Sequence, residues 1–132
     1  ISREQKERLL KNYKLLKHND INIVTHGYDK EDFENVVPKL TDNEFVITHS
    51  GLFQANRNPR PFFEAFGNFL DANHTNRSNI KLKLVGLMRK NHLKMIKRLK
   101  LEDNVVLTGN VSHKEAVEHI MQSDILWILQ NS

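Results

Sequence analysis

The 132 residues are 39% hydrophobic and 27% charged, with few glycines and prolines, a composition that suits one soluble globular core and is too short for two full Rossmann-like domains. The chain has no cysteine, which excludes a disulfide framework, a thiolate metal site and a cysteine nucleophile and fits a reducing, cytoplasmic setting. The net charge of +4 and a pI near 9.4 suit nucleic acid, an anionic lipid surface or a phosphorylated small molecule, and charge alone does not choose among them.

The chain opens with ISREQKERLLKNY, charged where a signal peptide would be apolar, and no run approaches the ~20 apolar residues of a membrane span. Leu9, Leu10, Tyr13 and Leu16 recur at helical spacing, predicting an amphipathic helix from about Glu4 to Leu16. A short strand, Ile21 to Thr25, is expected next, broken by His26-Gly27-Tyr28-Asp29, with Asp29 placed to cap the following turn. The stretch from Gly27 to about Asn43 reads as an interdomain connection, giving units at 1–43 and 44–132.

From Phe45 the pattern becomes regular. FVITH predicts a buried strand, SGLFQANRNP a loop, and PFFEAFGNFLDAN a helix opening on a proline suited to a first turn. The strand KLKLVG, a basic helix from about Asn91 to Leu101, the strand NVVLTG, the helix KEAVEHIMQS and the strand DILWIL follow. Strand–helix alternation with β-branched strands implies right-handed crossovers and a parallel α/β sheet with helices on both faces. No closing helix follows the last strand, so the sheet is expected to be a partial domain.

In such sheets ligands bind beyond the C-terminal strand ends, where Gly51, Gly86 and Gly109 stand. The first of these loops joins Gly51 to Arg57 and Arg60 just before a helix N-terminus, a combination suited to a phosphate or diphosphate. An ordinary turn with solvated arginines is the competing reading. Neither G-x-x-x-x-G-K-[ST] nor G-x-G-x-x-G occurs, so an ATPase and an NAD enzyme are unsupported.

Phe62, Phe63, Phe66 and Phe69 are assigned to the core by their helical spacing. The seven histidines show neither H-x-x-x-H nor H-E-x-x-H, so no metal is expected; His26 and His49, at strand ends, read as rim histidines able to face a ligand. In the basic helix Leu93, Ile96, Lys97 and Leu101 are expected toward the sheet, with the charges in water rather than on nucleic acid. The Asn-x-Ser/Thr triplets at Asn73, Asn76 and Asn110 are read as unglycosylated.

Together these pieces resemble the C-terminal, donor-binding domain of GT-B glycosyltransferases of the family-4 type (glycosyl transferases group 1), over nearly the whole chain. INIVTHGYDKEDF resembles the family's passage from acceptor to donor domain, with Gly27, Asp29 and Phe33 in agreement and His26 in place of asparagine. Arg57 stands six positions after Gly51, where the family's basic residue reaches the donor diphosphate; Leu52 stands where an arginine is common, and Arg60 is a candidate substitute. LKLVGLMRKNHLKMIKRLKLEDNVVLTGNVSHKEAVEHIMQSDILWIL follows the family's order of strand-Gly, helix, strand, Gly-x-Val and Ser-Asp before the next strand.

The resemblance implies a retaining transferase that moves a sugar from a nucleotide-diphosphate donor to a glycan or lipid-linked acceptor, in bacterial polysaccharide biosynthesis, without an obligatory metal or other cofactor. It implies donor contacts at Gly51, Leu52, Arg57, Gly86, Leu87, Met88, Asn110 and Val111, and a structural role for Asp124. The family's E-x7-E element, which contacts the donor sugar, does not occur in these residues and is expected downstream, so no catalytic residue is assigned and the segment alone is expected to be inactive. The full-length protein is expected in the cytoplasm, peripherally at the inner face of the cytoplasmic membrane. The alternatives are a non-catalytic nucleotide-binding α/β module, and a nucleic-acid-binding domain using the basic helix.

Overall fold

The computed structural model describes residues 2–34, 36–37, 43–54 and 57–129. Its contacts divide the chain into two compact units, residues 1–31 and 32–132, earlier than the 43/44 boundary drawn from sequence. Parts of the sequence-derived connection (35 and 38–42), of the glycine loop (55–56) and of the chain end (130–132) lie outside the described residues.

The first unit holds helix α1 (Arg3–Asn12), which begins with a capping box: Ser2 Oγ accepts the Gln5 N–H at 3.2 Å and Gln5 Oε1 accepts the Ser2 N–H at 2.8 Å. The predicted extension to Leu16 does not form. Tyr13 leaves helical geometry while its N–H returns to the Leu9 carbonyl at 2.9 Å, and Tyr13, Leu15 and Leu16 are exposed. The residue this helix buries is Lys6, whose Nζ donates to the Ile21 carbonyl at 2.6 Å. The predicted strand Ile21 to Thr25 is also absent. A strand needs a neighbour for its ladder, and the described residues of this unit contain no other strand. Asp29 does act as a cap, accepting the Glu31 N–H at 3.0 Å where the 3-10 turn Glu31–Phe33 begins.

The second unit is the α/β sheet. Strands β1 (Phe45–Ser50), β2 (Ile80–Val85), β3 (Val105–Gly109) and β4 (Ile125–Leu126) are all parallel, in the order β3-β2-β1-β4. Between them run α2 (Arg60–Ala72), α3 (Lys90–Arg98) and α4 (His113–Met121). The order steps outward from β1 to β3 and then jumps back to β4. With right-handed crossovers this puts α2 and α3 on one face and α4 on the other. The reversal between β1 and β4 is a topological switch point.

On the first face, Phe63, Phe66 and Leu70 of α2 and Ile96 of α3, with Leu101 just beyond that helix, close over Ile80, Leu82 and Leu84. Each fully buried side chain of this size contributes roughly 1.5–3 kcal/mol. The four phenylalanines do not share one fate. Phe63 and Phe66 are core, Phe62 is half-buried against Trp127, and Phe69 is exposed, because α2 turns only one stripe toward the sheet. In α3 the buried residues are His92 and Ile96 with Leu99 half-buried, one i, i+4, i+7 stripe, whereas Leu93 and Lys97 point to water, contrary to the sequence expectation.

On the second face Val46, Thr48, Val85 and Val117 are buried, and Ser123 Oγ joins Thr48 Oγ1 (2.5 Å) to the His119 carbonyl (2.7 Å). Asp124 has the structural role implied by its position: its carboxylate accepts the Val46 N–H at 2.7 Å while its own N–H donates to the Val46 carbonyl at 2.9 Å. The last strand is shorter than DILWIL. Trp127 still donates to the Thr48 carbonyl at 2.8 Å, but its own carbonyl is held by the His49 side chain, which ends the ladder there.

Candidate functional site

The C-terminal ends of β1, β2 and β3 meet at three glycines with positive φ: +121° at Gly51, +121° at Gly86 and +73° at Gly109. They are tied backbone to backbone, Gly51 N–H to the Val85 carbonyl (2.8 Å) and Gly86 N–H to the Gly109 carbonyl (3.0 Å). A side chain at Gly86 would come within 3.2 Å of the Gly51 carbonyl oxygen. These positions therefore need glycine for conformation, and at Gly86 for close approach as well.

Above the glycines lies an open cleft of about 220 Å³ whose lining includes Gly51, Leu52, Gly86, Leu87, Asn110 and Val111. Six of the eight donor-contact positions expected from sequence thus share one cavity. Leu52 and Leu87 are more than half exposed along it, which gives the cleft an apolar component where an arginine was common in the resemblance. Met88 takes another direction, half-buried against the core beneath.

Arg57 lines a second, smaller cavity of about 130 Å³ at the β1/β4 switch point, with Thr48, His49, Ser50 and Trp127 among its neighbours; Ser50 is common to both cavities. Its backbone N–H donates to the Gln54 carbonyl at 2.8 Å, and its Nε is buried without a hydrogen-bond partner. Arg60 stands apart from this arrangement: exposed at the start of α2, its guanidinium is held by Glu64 at 2.7 Å. The N-terminus of α2 also offers less to an anion than the sequence suggested, because the Arg60 N–H is taken by Asn58 Oδ1 at 3.1 Å and Pro61 has no N–H.

His49 lines the same cavity as Arg57. It is buried, its ring stacked on Phe53 with centroids 4.3 Å apart, and Nδ1 lies 3.0 Å from the Trp127 carbonyl. A carbonyl only accepts, so Nδ1 carries the proton, and in the neutral ring Nε2 is a lone-pair acceptor; it is buried and unpartnered. Burial pushes this imidazole below the ordinary histidine range; the Trp127 hydrogen bond opposes the shift and the Arg57 charge adds to it. The sequence signal was its place at a strand end, but its partner Trp127 is 78 positions away. His26 is exposed in the first unit.

At the far side of the cleft α4 begins with a second capping box. Ser112 Oγ accepts the Glu115 N–H at 3.3 Å, and Glu115 Oε2 accepts from the Ser112 N–H at 2.8 Å. Hydrogen bonds to its carboxylate from the Ser112 N–H and, at 2.7 Å, from the Ser112 hydroxyl hold the Glu115 carboxyl below its ordinary range. No group of three His, Cys, Asp or Glu side chains gathers among the described residues, and no described helix is long and apolar enough to cross a membrane.

Compared with known proteins, residues 29–131 match the sequence profile of a family described as glycosyl transferases group 1. The chain belongs to that family. Among solved structures the fold is similar to that of WaaG, a glycosyltransferase involved in lipopolysaccharide biosynthesis, with a TM-score of 0.72 at 15% identity. That alignment covers 96% of this chain and 36% of the WaaG chain, so this chain spans little more than a third of that protein's length. No curated protein matches. The α/β architecture expected from sequence, that of a GT-B C-terminal domain, is the one observed, and the glycine-lined cleft is where this group 1 member presents its strand ends.

Proposed function

We propose that this chain forms the donor-binding part of a retaining glycosyltransferase, which takes a nucleotide-diphosphate sugar and passes the sugar to a glycan or lipid-linked acceptor in polysaccharide biosynthesis. The observation that carries the reading is the cleft over three positive-φ glycines, with a guanidinium in the adjoining cavity. Backbone held open by glycine lets a bulky anion approach closely, and an arginine supplies the counter-charge that a leaving diphosphate needs.

The charges also suggest which way the donor lies. The Glu115 carboxylate sits at the start of α4, beside Asn110 and Val111, and offsets the positive end of that helix. A diphosphate is disfavoured there and favoured toward Arg57; the nucleoside then lies along Leu87, Asn110 and Val111. Domain boundaries at 1–43 and 44–132, the first being the end of an acceptor domain, belong to the same proposal, as does a cytoplasmic place at the inner face of the membrane.

Titration calorimetry of this chain with UDP, GDP, UDP-glucose and GDP-mannose tests the reading. Binding of one nucleoside diphosphate should weaken about tenfold or more in Arg57→Ala, the loss of a charge-assisted hydrogen bond, without turnover of the sugar nucleotide. Binding that ignores Arg57→Ala, or steeply salt-dependent binding of DNA or RNA in its place, would remove the proposal.

A further inference from the structure

Two polar atoms at the switch-point cavity have no partner: the Nε2 of His49 and the Nε of Arg57, each closed to solvent. Buried polar groups left unpaired cost free energy comparable to a lost hydrogen bond, so an orphan calls for a reason. Here there are two, and they are complementary. His49 donates from Nδ1 to the Trp127 carbonyl, so its Nε2 can only accept, while the Arg57 Nε–H can only donate. The imidazole is fixed by its stack on Phe53 and by Trp127, whereas Arg57 borders about 130 Å³ of free space into which its side chain can turn. The groups are close enough for the guanidinium charge to act on the ring.

We propose that His49 is a positioning residue for Arg57: when a diphosphate engages the terminal nitrogens of the guanidinium, the Arg57 Nε–H donates to the His49 Nε2. The inference rests on the donor-binding reading and adds to it a residue that never touches the ligand. Arginine presents five donors in a rigid planar fork, so holding Nε sets the plane in which the outer nitrogens meet the phosphate oxygens. The imidazole is suited to this because its acceptor is aimed by two contacts on its other edge and face. A protonated ring would present a donor and repel the arginine, so the device works with neutral His49; the charged or titratable groups around it are Arg57 and, across Phe53, His92.

The test uses this chain with UDP and GDP as probes, followed by calorimetry and by ¹⁵N NMR of histidine and arginine side chains. Addition of the nucleoside diphosphate that binds should bring one arginine Nε–H into slow exchange, lost in Arg57→Ala, and should shift the His49 Nε2 resonance as it gains a hydrogen bond. His49→Phe, which keeps an aromatic ring against Phe53 without the acceptor, should bind roughly tenfold more weakly and show no protected Nε–H. His49→Gln, which offers an amide oxygen near the Nε2 position, should recover most of the affinity. Unchanged affinity and equal Nε–H protection in a folded His49→Phe would overturn the inference, and so would equal losses in the Phe and Gln variants. Should His49→Phe fail to fold, an unmoved His49 Nε2 resonance in the wild type on ligand addition overturns it just as well. If the wild type binds neither nucleoside diphosphate, or Arg57→Ala changes nothing, the donor-binding reading itself has failed; wild-type binding that depends on Arg57 and not on His49 defeats this inference alone.

Discussion

Gly86 stands where the ends of β1 and β2 come closest, and its φ of +121° belongs to glycine. An alanine there would meet two penalties: left-handed backbone strain of about 1–3 kcal/mol, and a methyl 3.2 Å from the Gly51 carbonyl oxygen, a backbone atom with little freedom to retreat. Gly109, at φ +73°, has open space around the same methyl, so only the conformational cost of about 1–2 kcal/mol applies. Gly86→Ala is therefore expected to lower the urea midpoint more than Gly109→Ala and, on the proposed donor-binding reading, to weaken nucleoside-diphosphate binding, because the displaced atom belongs to Gly51 in the cleft. Equal midpoints and unchanged binding in the two variants would show that the close approach has no functional weight. These glycines were legible in the sequence because each stands at the end of an expected strand. His49 was legible only by its place at a strand end; its contacts with Trp127 and Phe53 arise only on folding.

At the scale of elements, the strands and helices from Phe45 onward could be read from local pattern, since period and turn residues agree with the packing they end up in. The elements expected before Phe45 that do not form share a cause. The Ile21 to Thr25 run has strand-forming residues but no neighbouring strand among the described residues of its unit, and α1 stops at Asn12 although its apolar spacing continues. In both cases propensity asked for an element that contacts did not supply. The stripe of α3 differs from the expected one because His92 takes a core position edge-on to Phe53. Helix α4 begins two residues after the cleft residue Val111 with the capping box of Ser112 and Glu115, where local hydrogen bonds and packing agree. Ser112→Ala removes both the hydroxyl acceptor for the Glu115 N–H and the donor to its carboxylate, at 2.7 Å. We expect a loss of about 0.5–2 kcal/mol in urea denaturation, with fraying of the first α4 turn in amide exchange. Ser112→Thr keeps both the acceptor and the hydroxyl donor and should restore most of that stability; if Ser112→Ala is as stable as wild type, the cap does not anchor this wall of the cleft.

For the whole molecule, three histidines carry the same electrostatic sign. His49, His92 and His119 are all pushed below the ordinary histidine range, in each case first by burial, with Arg57, Arg89 and Lys83 respectively adding repulsion and with Trp127 opposing at His49 and Glu115 and Glu118 at His119. Well above about pH 6.5, the ordinary histidine value, these rings are neutral in both folded and unfolded chains and stability depends on them little. Below that value the unfolded chain takes up protons that the folded chain resists, so the unfolded state binds more protons and stability falls as pH drops, until the depressed folded-state pKa values are reached. The expected result is a urea midpoint flat from about pH 8 to 7 and declining progressively below about 6.5. His92→Phe separates this from general acid denaturation by carboxylate protonation, which belongs to lower pH: it removes one titrating ring and a buried, unpartnered Nδ1 while keeping an aromatic side chain against Phe53. That variant should match the wild type or exceed it at neutral pH and lose less stability between about pH 6.5 and 5.5. A wild-type midpoint that stays level across that interval, or a His92→Phe slope identical to the wild type's, would mean that burial of these rings does not set the molecule's acid sensitivity.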